Sequence, residues 1–200
     1  MADKNGSSFK KKAGIYLQKA GLFLLELVKV VVLAGVTIAL VRYFLFKPFY
    51  VKGASMEPNF EDKEYLIIDE LTYRIRTPAR GDVIVFKYPE NQQEYFLKRV
   101  IGLPGERVKV FNGEVTIYNK EHPEGVVLEE PYLPKDLQTE GDQTVTLGSN
   151  QYFVLGDNRP NSYDSRRFGV VDKSLIVGRV ILRGWPFNRA EIFNTPKLNV

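Results

Sequence analysis

The sequence has no cysteine among its 200 residues. Disulfides, thiol nucleophiles and thiolate metal sites are therefore excluded. Histidine is nearly as scarce: His122 stands alone, followed by Pro123 in a polar stretch. A metal centre needs several converging ligands, so His122 reads as a loop residue and no metal site is expected. A Ser-His-Asp triad would have to be built on that one imidazole, which disfavours it. A glycine-rich phosphate loop ending in Lys-Ser or Lys-Thr is missing, as are the Asp-Thr/Ser-Gly of aspartic proteases and any paired-histidine motif. Nothing in the sequence calls for a cofactor.

Also missing is a basic surplus in the part that would fold. Residues 1–29 hold six lysines against Asp3 and Glu26, which accounts for the whole net charge of +4. Residues 30–200 carry 22 basic and 22 acidic groups. A nucleic-acid-binding domain should show a basic stripe in its folded part, so nucleic acid is not an expected partner.

What is present begins with a long apolar run. Val30 to Phe46 is apolar except for Gly35, Thr37 and Arg42. At about 1.5 Å per residue this run spans roughly 25 Å as a helix, and Leu22–Leu25 with Leu27–Val28 extend it towards the ~30 Å hydrocarbon core. Glu26 and Lys29 are spaced to pair on one helical face. Arg42 is placed to snorkel at the other end. A cleavable signal peptide needs small residues after its apolar core, whereas Tyr43–Phe46 is bulky. A buried core helix would not explain lysines on one flank only. The reading is an uncleaved single-pass anchor in a lipid bilayer, with the lysine-rich N-terminus cytoplasmic and residues 48–200 across the membrane. The expected divisions are a basic tail over 1–21, an anchor over 22–47 and an exported domain over 48–200.

From Phe49 onward, alternation replaces helical periodicity. "EYLIID", "DVIVFKY", "EYFLKRVIG", "RVKVFNGEVTIYN", "QYFVLG" and "SLIVGRVIL" are short runs rich in Val, Ile, Tyr and Phe, divided by turn formers. The predicted class is mainly β: one N-terminal membrane helix followed by an all-β domain. Asn112-Gly113 between Val110-Phe111 and Val115–Tyr118 is a hairpin signal, because both turn positions need positive φ. The irregular, acidic stretch His122–Gly148 reads as part of a loop-rich insertion over about 107–152.

Three places carry possible chemistry. "FYVKGASMEPNF", Phe49 to Phe60, sets Ser55 between Gly53 and Pro58, a composition that an ordinary turn also satisfies. In "EYFLKRVIG", strand alternation puts Phe96, Lys98 and Val100 on one face. Such a lysine either snorkels outward or is desolvated, and desolvation lowers its pKa towards that of a usable base. "GDNRPNSYDSRRFG", Gly156 to Gly169, gathers carboxylates, amides, serines and arginines directly after an apolar strand. A calcium loop fails there, because Arg159, Ser162 and Phe168 fall at positions three, six and twelve. Asp164 and Arg166 should pair; an exposed pair would contribute only about 0–1 kcal/mol. Among nucleophilic schemes, serine with a lysine base is the one this composition still allows.

Taken together, these strings resemble the type I bacterial signal peptidases, membrane-bound serine proteases that remove signal peptides from exported proteins. The nucleophile box is "GASMEP", with Ser55-Met56 and Pro58. It is followed by "RGDVIVF", by the general-base box "FLKRVIGLPGERV", and by "GDNRPNSYDSRRFG" with "VGRVILRGWPF" behind it. Each string alone is weak, but four in this order behind an anchor are specific, and the similarity covers the anchor and essentially all of the exported part. The resemblance implies a bacterial plasma-membrane enzyme whose partners are preprotein signal peptides, cleaved at Ala-x-Ala-type sites through an acyl-enzyme. It implies Ser55 as nucleophile and Lys98 as general base, with Ser162 hydrogen-bonded to the lysine amine and an Asp164–Arg166 pair beneath the site. One departure is Gly53, where many relatives carry a Ser or Thr whose hydroxyl helps bind the oxyanion. The oxyanion hole should then rest on backbone N–H groups, notably that of Ser55. The interval between the last two boxes is short for the family, which implies a small second β-subdomain.

Two competing readings follow from the same residues. One is a Ser-Lys autoprotease of the repressor type, although an anchor stands here where its DNA-binding domain would be. The other is a non-enzymatic, membrane-tethered β-domain adaptor, in which Ser55 could be replaced freely.

Overall fold

The asparagine and glycine of the predicted hairpin adopt φ of 52° and 83°, and the strands on either side pair directly across them. This is seen in a computed structural model that describes the backbone of residues 5–44 and 46–200 and the side chains of residues 19–38 and 48–200. Lys4, Lys10–Lys12 and Arg42, invoked above for orientation and snorkelling, lie outside the residues whose side chains are described.

The chain divides into two units at Leu45. The first holds one helix, α1, Asn5–Phe44. No proline occurs before Pro48, so nothing interrupts the hydrogen-bond ladder. Lys19–Ile38 is long and apolar enough to cross a bilayer, and none of it is buried within the protein. Two polar features inside this stretch are satisfied locally. Lys29 pairs with Glu26 at 3.0 Å, and Thr37 donates to the carbonyl of Leu33 at 2.8 Å.

The second unit is mainly β, as the alternation predicts. Its strands are β1 Phe46–Tyr50, β2 Tyr65–Asp69, β3 Val83–Tyr88, β4 Asn91–Gly102, β5 Arg107–Phe111 and β6 Glu114–Tyr118. They continue as β7 Val126–Val127, β8 Gln143–Thr146, β9 Gln151–Leu155, β10 Val171–Asp172, β11 Ile176–Trp185 and β12 Glu191–Ile192. An antiparallel sheet runs β1-β2-β11-β3-β4-β9-β10, with β12 beside β11, and a second sheet runs β7-β6-β5-β8. The helix therefore ends at Phe44, and Phe46–Tyr50, read above as the end of the anchor and the start of the domain, pairs with β2 as an edge strand.

The apolar runs explain how the main sheet is buried. β3 is buried from Val83 to Phe86 because it is covered on both faces. Val83 and Val85 pack with Val51, Met56, Phe60 and Leu66, while Ile84 and Phe86 pack with Val100, Tyr152 and Val154. β9 does the same: Tyr152 and Val154 face the latter cluster, and Phe153 and Leu155 face the small sheet with Ile101, Val108 and Ile117. In contrast, β5 alternates, burying Val108 and Val110 and exposing Arg107 and Phe111. That is the signature of a sheet with one solvated face.

Candidate active site

Ser55 sits on a loop anchored at both ends. On one side the N–H of Val51 donates to Glu64, and the N–H of Lys63 donates back to Val51, so strand-like pairing continues past β1. On the other, the N–H of Phe60 donates to the carbonyl of Met56, and both side chains are buried. Gly53 lies at φ of 91°, a conformation that strains any residue with a Cβ. Its N–H is held by the Asp62 carboxylate at 2.8 Å.

Lys98 comes from the middle of β4, where pairing with β3 aligns it opposite Ile84. The two residues, 43 positions apart in sequence, meet: Nζ of Lys98 donates to Oγ of Ser55 at 2.7 Å and to the carbonyl of Leu97 at 3.0 Å. Of the two outcomes the strand pattern left open, desolvation is the one observed. Lys98 is 4% exposed, and its Nζ lies 5.4 Å from the centre of the Phe96 ring. Burial lowers its pKa to about 8, against the partial opposition of the Asp164 and Asp157 charges. An amine this easily deprotonated can accept a proton from the hydroxyl it touches.

The Gly156–Gly169 loop locks this pair in place. The N–H of Asn158 donates to the carbonyl of Ser55 and its side-chain amide to that of Ala54, both at 3.0 Å. Arg166 forks onto Asp164 through Nε and Nη2, both at 2.8 Å, and the N–H of Gly156 donates to the same carboxylate at 3.0 Å. This pair is not the exposed one that a charged turn would hold. Asp164 is fully buried. Burial alone would raise its pKa, but the Arg166 hydrogen bond and charge outweigh that, and the carboxyl is held below its ordinary value.

The Ser162 hydroxyl departs from expectation. Its Oγ is buried and makes no hydrogen bond of good geometry, so the bond to the Lys98 amine implied by the resemblance is not formed. The hydroxyl faces Asp164 instead, and helps to keep that carboxylate charged. Two of the three Lys98 donors go to Ser55 and the Leu97 carbonyl, and Ser162 lies behind the pair without bonding to it.

Sequence reasoning missed several supports. Arg99 forks onto Asp157 at 2.8 and 2.5 Å, and Asn59 donates to the same carboxylate at 2.9 Å. Arg159 forks onto Glu130 from the loop between β7 and β8. The one available signal was the density of arginines and carboxylates in the two motifs. Their pairing depends on strand register and leaves no trace in spacing.

A groove of about 650 Å³ borders the Ser55–Lys98 pair. Phe49–Met56 form one wall and Glu94–Lys98 the other, with Asn161 and Tyr163 contributed by the Gly156–Gly169 loop. A groove of similar volume, about 670 Å³, runs along β6 and β7 past Glu114 and Leu137, but none of the candidate residues lines it. Among the described residues no cluster of His, Asp and Glu converges as a metal site.

A sequence model of the family described as signal peptidase, peptidase S26, matches residues 24–185. The chain belongs to the S26 signal peptidase family. Its relatives include signal peptidase I of Leptolyngbya laminosa, 42% identical over 180 residues that cover 86% of this chain and 84% of that protein. A probable signal peptidase I-2 of Synechocystis sp. is 38% identical over 170 residues, covering 82% and 75% of the two chains. Signal peptidase IB of Staphylococcus aureus is 34% identical over 176 residues, covering 82% and 91%. A crystal structure of signal peptidase I from Enterococcus faecalis V583 aligns with 52% of this chain and 97% of its own, at 36% identity and a TM-score of 0.44. As a member of this family, the chain is a serine endopeptidase.

Proposed function

We propose that this signal peptidase removes N-terminal signal peptides from exported preproteins, using Ser55 as nucleophile and Lys98 as general base. The observation that carries the reading is the 2.7 Å approach of the buried Lys98 amine to the Ser55 hydroxyl. With a pKa of about 8, roughly one lysine in ten is neutral at pH 7. The neutral amine takes the Ser55 proton as Oγ attacks the scissile carbonyl. It returns that proton to the leaving amine and then activates the water that releases the acyl-enzyme. The N–H of Gly53 is engaged by Asp62, so the oxyanion falls to the backbone N–H of Ser55. Asp164 and Arg166 hold the loop behind the pair, and Met56 pins the nucleophile turn to the core.

The groove between the Phe49–Met56 and Glu94–Lys98 walls suits an extended peptide, bound by main-chain hydrogen bonds as an added strand. The preferred sites are of the Ala-x-Ala type. The protein is placed in the bacterial plasma membrane as a single-pass protein with its N-terminus cytoplasmic, so that Ser55 meets its substrates on the outer side.

The test is direct. Purified full-length protein in detergent micelles or lipid vesicles is mixed with a preprotein, and release of the mature product is followed. Wild type should cleave, and Ser55→Ala, which lacks the only atom that can be acylated, should not while remaining folded. Cleavage by Ser55→Ala at the wild-type rate would leave the adaptor-like irrelevance of Ser55 as the better account and sink this one.

A further inference from the structure

Behind the Ser55–Lys98 pair, three arginines alternate with three carboxylates. Arg99 holds Asp157, Arg166 holds Asp164, and Arg159 holds Glu130. The first two pairs lie wholly within the motifs described above. The third does not, because Glu130 belongs to the irregular segment between β7 and β8 of the small sheet.

Arg159 is the largest fully buried side chain of the domain. A guanidinium so placed must be paired, since removing a partner leaves an uncompensated buried charge. Its Nη1 and Nη2 fork onto Glu130, and Nη1 also donates to the Thr139 hydroxyl. Its Nε holds the carbonyl of Gly156 at 3.0 Å, and its own carbonyl accepts from Arg166 at 2.6 Å. The same segment reaches the nucleophile loop independently, because the carbonyl of Tyr132 accepts from Asn59 at 2.9 Å. The ring of Tyr132 also lies 3.9 Å beneath the Arg99 guanidinium, and its hydroxyl donates to Glu130.

We propose that Glu130 is a positioning residue for the Ser55–Lys98 pair, acting through Arg159 on the Gly156–Asn158 stretch. The inference rests on the function proposed above. The chain of contacts is short. Glu130 fixes Arg159, Arg159 fixes the Gly156 carbonyl, and Asn158 next to it holds the carbonyls of Ser55 and Ala54. Glu130 also balances charge. Arg159 interacts electrostatically with Asp157, which together with Asp164 is the anionic surrounding of Lys98. With Glu130 neutralised, the Arg159 charge competes with Lys98 and Arg99 for Asp157. Less negative potential then remains to favour the lysine ammonium, and its pKa falls.

The test uses the full-length protein in vesicles, a preprotein substrate and three variants: Glu130→Gln, Glu130→Asp and the double variant Glu130→Gln/Arg159→Gln. Glu130→Gln should lower kcat about tenfold, with KM little changed, as expected for coupling through a buried charge network. The midpoint of its pH–rate profile should move about half a unit or more towards acid. Glu130→Asp, which keeps the charge, should stay near the wild-type midpoint. The double variant, which removes both charges, should return to it even if kcat does not recover. If Glu130→Gln fails to fold, the other two variants decide. A Glu130→Asp midpoint shifted to acid, or a double variant that does not match wild type, overturns the proposal. A Glu130→Gln protein that melts earlier but keeps wild-type kcat and midpoint also overturns it, because Glu130 would then be structural only. Failure of the wild type to cleave would instead overturn the proposed function and is read in the control lane.

Discussion

Gly156 approaches Ser55 so closely that a methyl group at position 156 would overlap the Ser55 carbonyl oxygen, and the Ser162 hydroxyl with it. Its backbone is not in the left-handed region, so the demand here is for space rather than for an unusual φ. Gly156→Ala must therefore push apart the nucleophile loop and the loop that carries Ser162 and Asp164. Overpacking of this kind costs about 1–3 kcal/mol, which a domain of this size should survive. Catalysis is less forgiving, since a displacement of about 1 Å can cost roughly a hundredfold. We expect Gly156→Ala to fold, by circular dichroism, and to lose about that much activity. Wild-type turnover in this variant would show that the close approach is unimportant to the site.

The strands of the domain were readable because their turn formers and alternation are local. β5 and β6 were marked by Asn112-Gly113, and their residues alternate as the pattern requires. β1 is not legible as a strand, because Phe46–Tyr50 follows directly on the apolar run, carries Lys47 and Pro48 without alternation, and is defined only by its pairing with β2. The short strands β7, β8, β10 and β12 owe their assignment to neighbours in the same way. Within the site, Ser55 and Lys98 are legible through the order of four motifs, not through their spacing of 43 residues. Taken singly, the residues around Ser55 spell a turn, and those around Lys98 fit a snorkelling lysine as well as a desolvated one. Glu130 was invisible, since an acidic residue in an acidic loop gives no sign that a buried arginine awaits it.

Topology gives a second expectation. Lysines cluster on the N-terminal side of the apolar helix, and by the positive-inside tendency that side is expected to be cytoplasmic. Protease added to spheroplasts should digest residues 48–200 and spare the N-terminus, as read with antibodies to tags at either end. Digestion of residues 1–12 with protection of the domain would reverse the orientation and put Ser55 in the wrong compartment for exported substrates.

Substrate choice gives a third. The groove walls beside Ser55 include Val51, Met56, Phe96 and Leu97, of which Val51, Met56 and Leu97 are locked in the core. A wall that cannot move rejects bulk at about 1–3 kcal/mol, which corresponds to roughly 5- to 150-fold in rate. Preproteins with Ala at −1 and −3 should accordingly be cleaved faster than the same preproteins with Leu or Phe at −1. Equal rates, measured under kcat/KM conditions, would count against both the groove and the assignment of its subsites.

The most decisive change is Lys98→Arg. It keeps a positive charge on a long stem, and because Lys98 is 4% exposed, folding of the variant with its bulkier guanidinium is checked by circular dichroism. A general base has to lose its proton near working pH, and a guanidinium with a pKa above about 12 cannot. The variant should be inactive. His122→Ala should be as active as wild type, because the imidazole has no place in the scheme. The wild-type rate should rise with pH through a limb centred near 8, as the Lys98 ammonium gives up its proton. Stability follows pH in the same direction. Burial lowers the folded-state pKa from 10.5 to about 8, so between those values the unfolded chain holds the extra proton. Unfolding therefore becomes costlier as pH rises through that window, until the unfolded lysine also deprotonates. Replacing Lys98 by Met removes the titrating group, so the Lys98→Met protein should lack this part of the stability gain between pH 8 and 10.5. A folded Lys98→Arg enzyme that cleaves preproteins normally would mean that Lys98 is not the base, and a stability curve that Lys98→Met leaves unchanged in slope would mean that Lys98 is not desolvated.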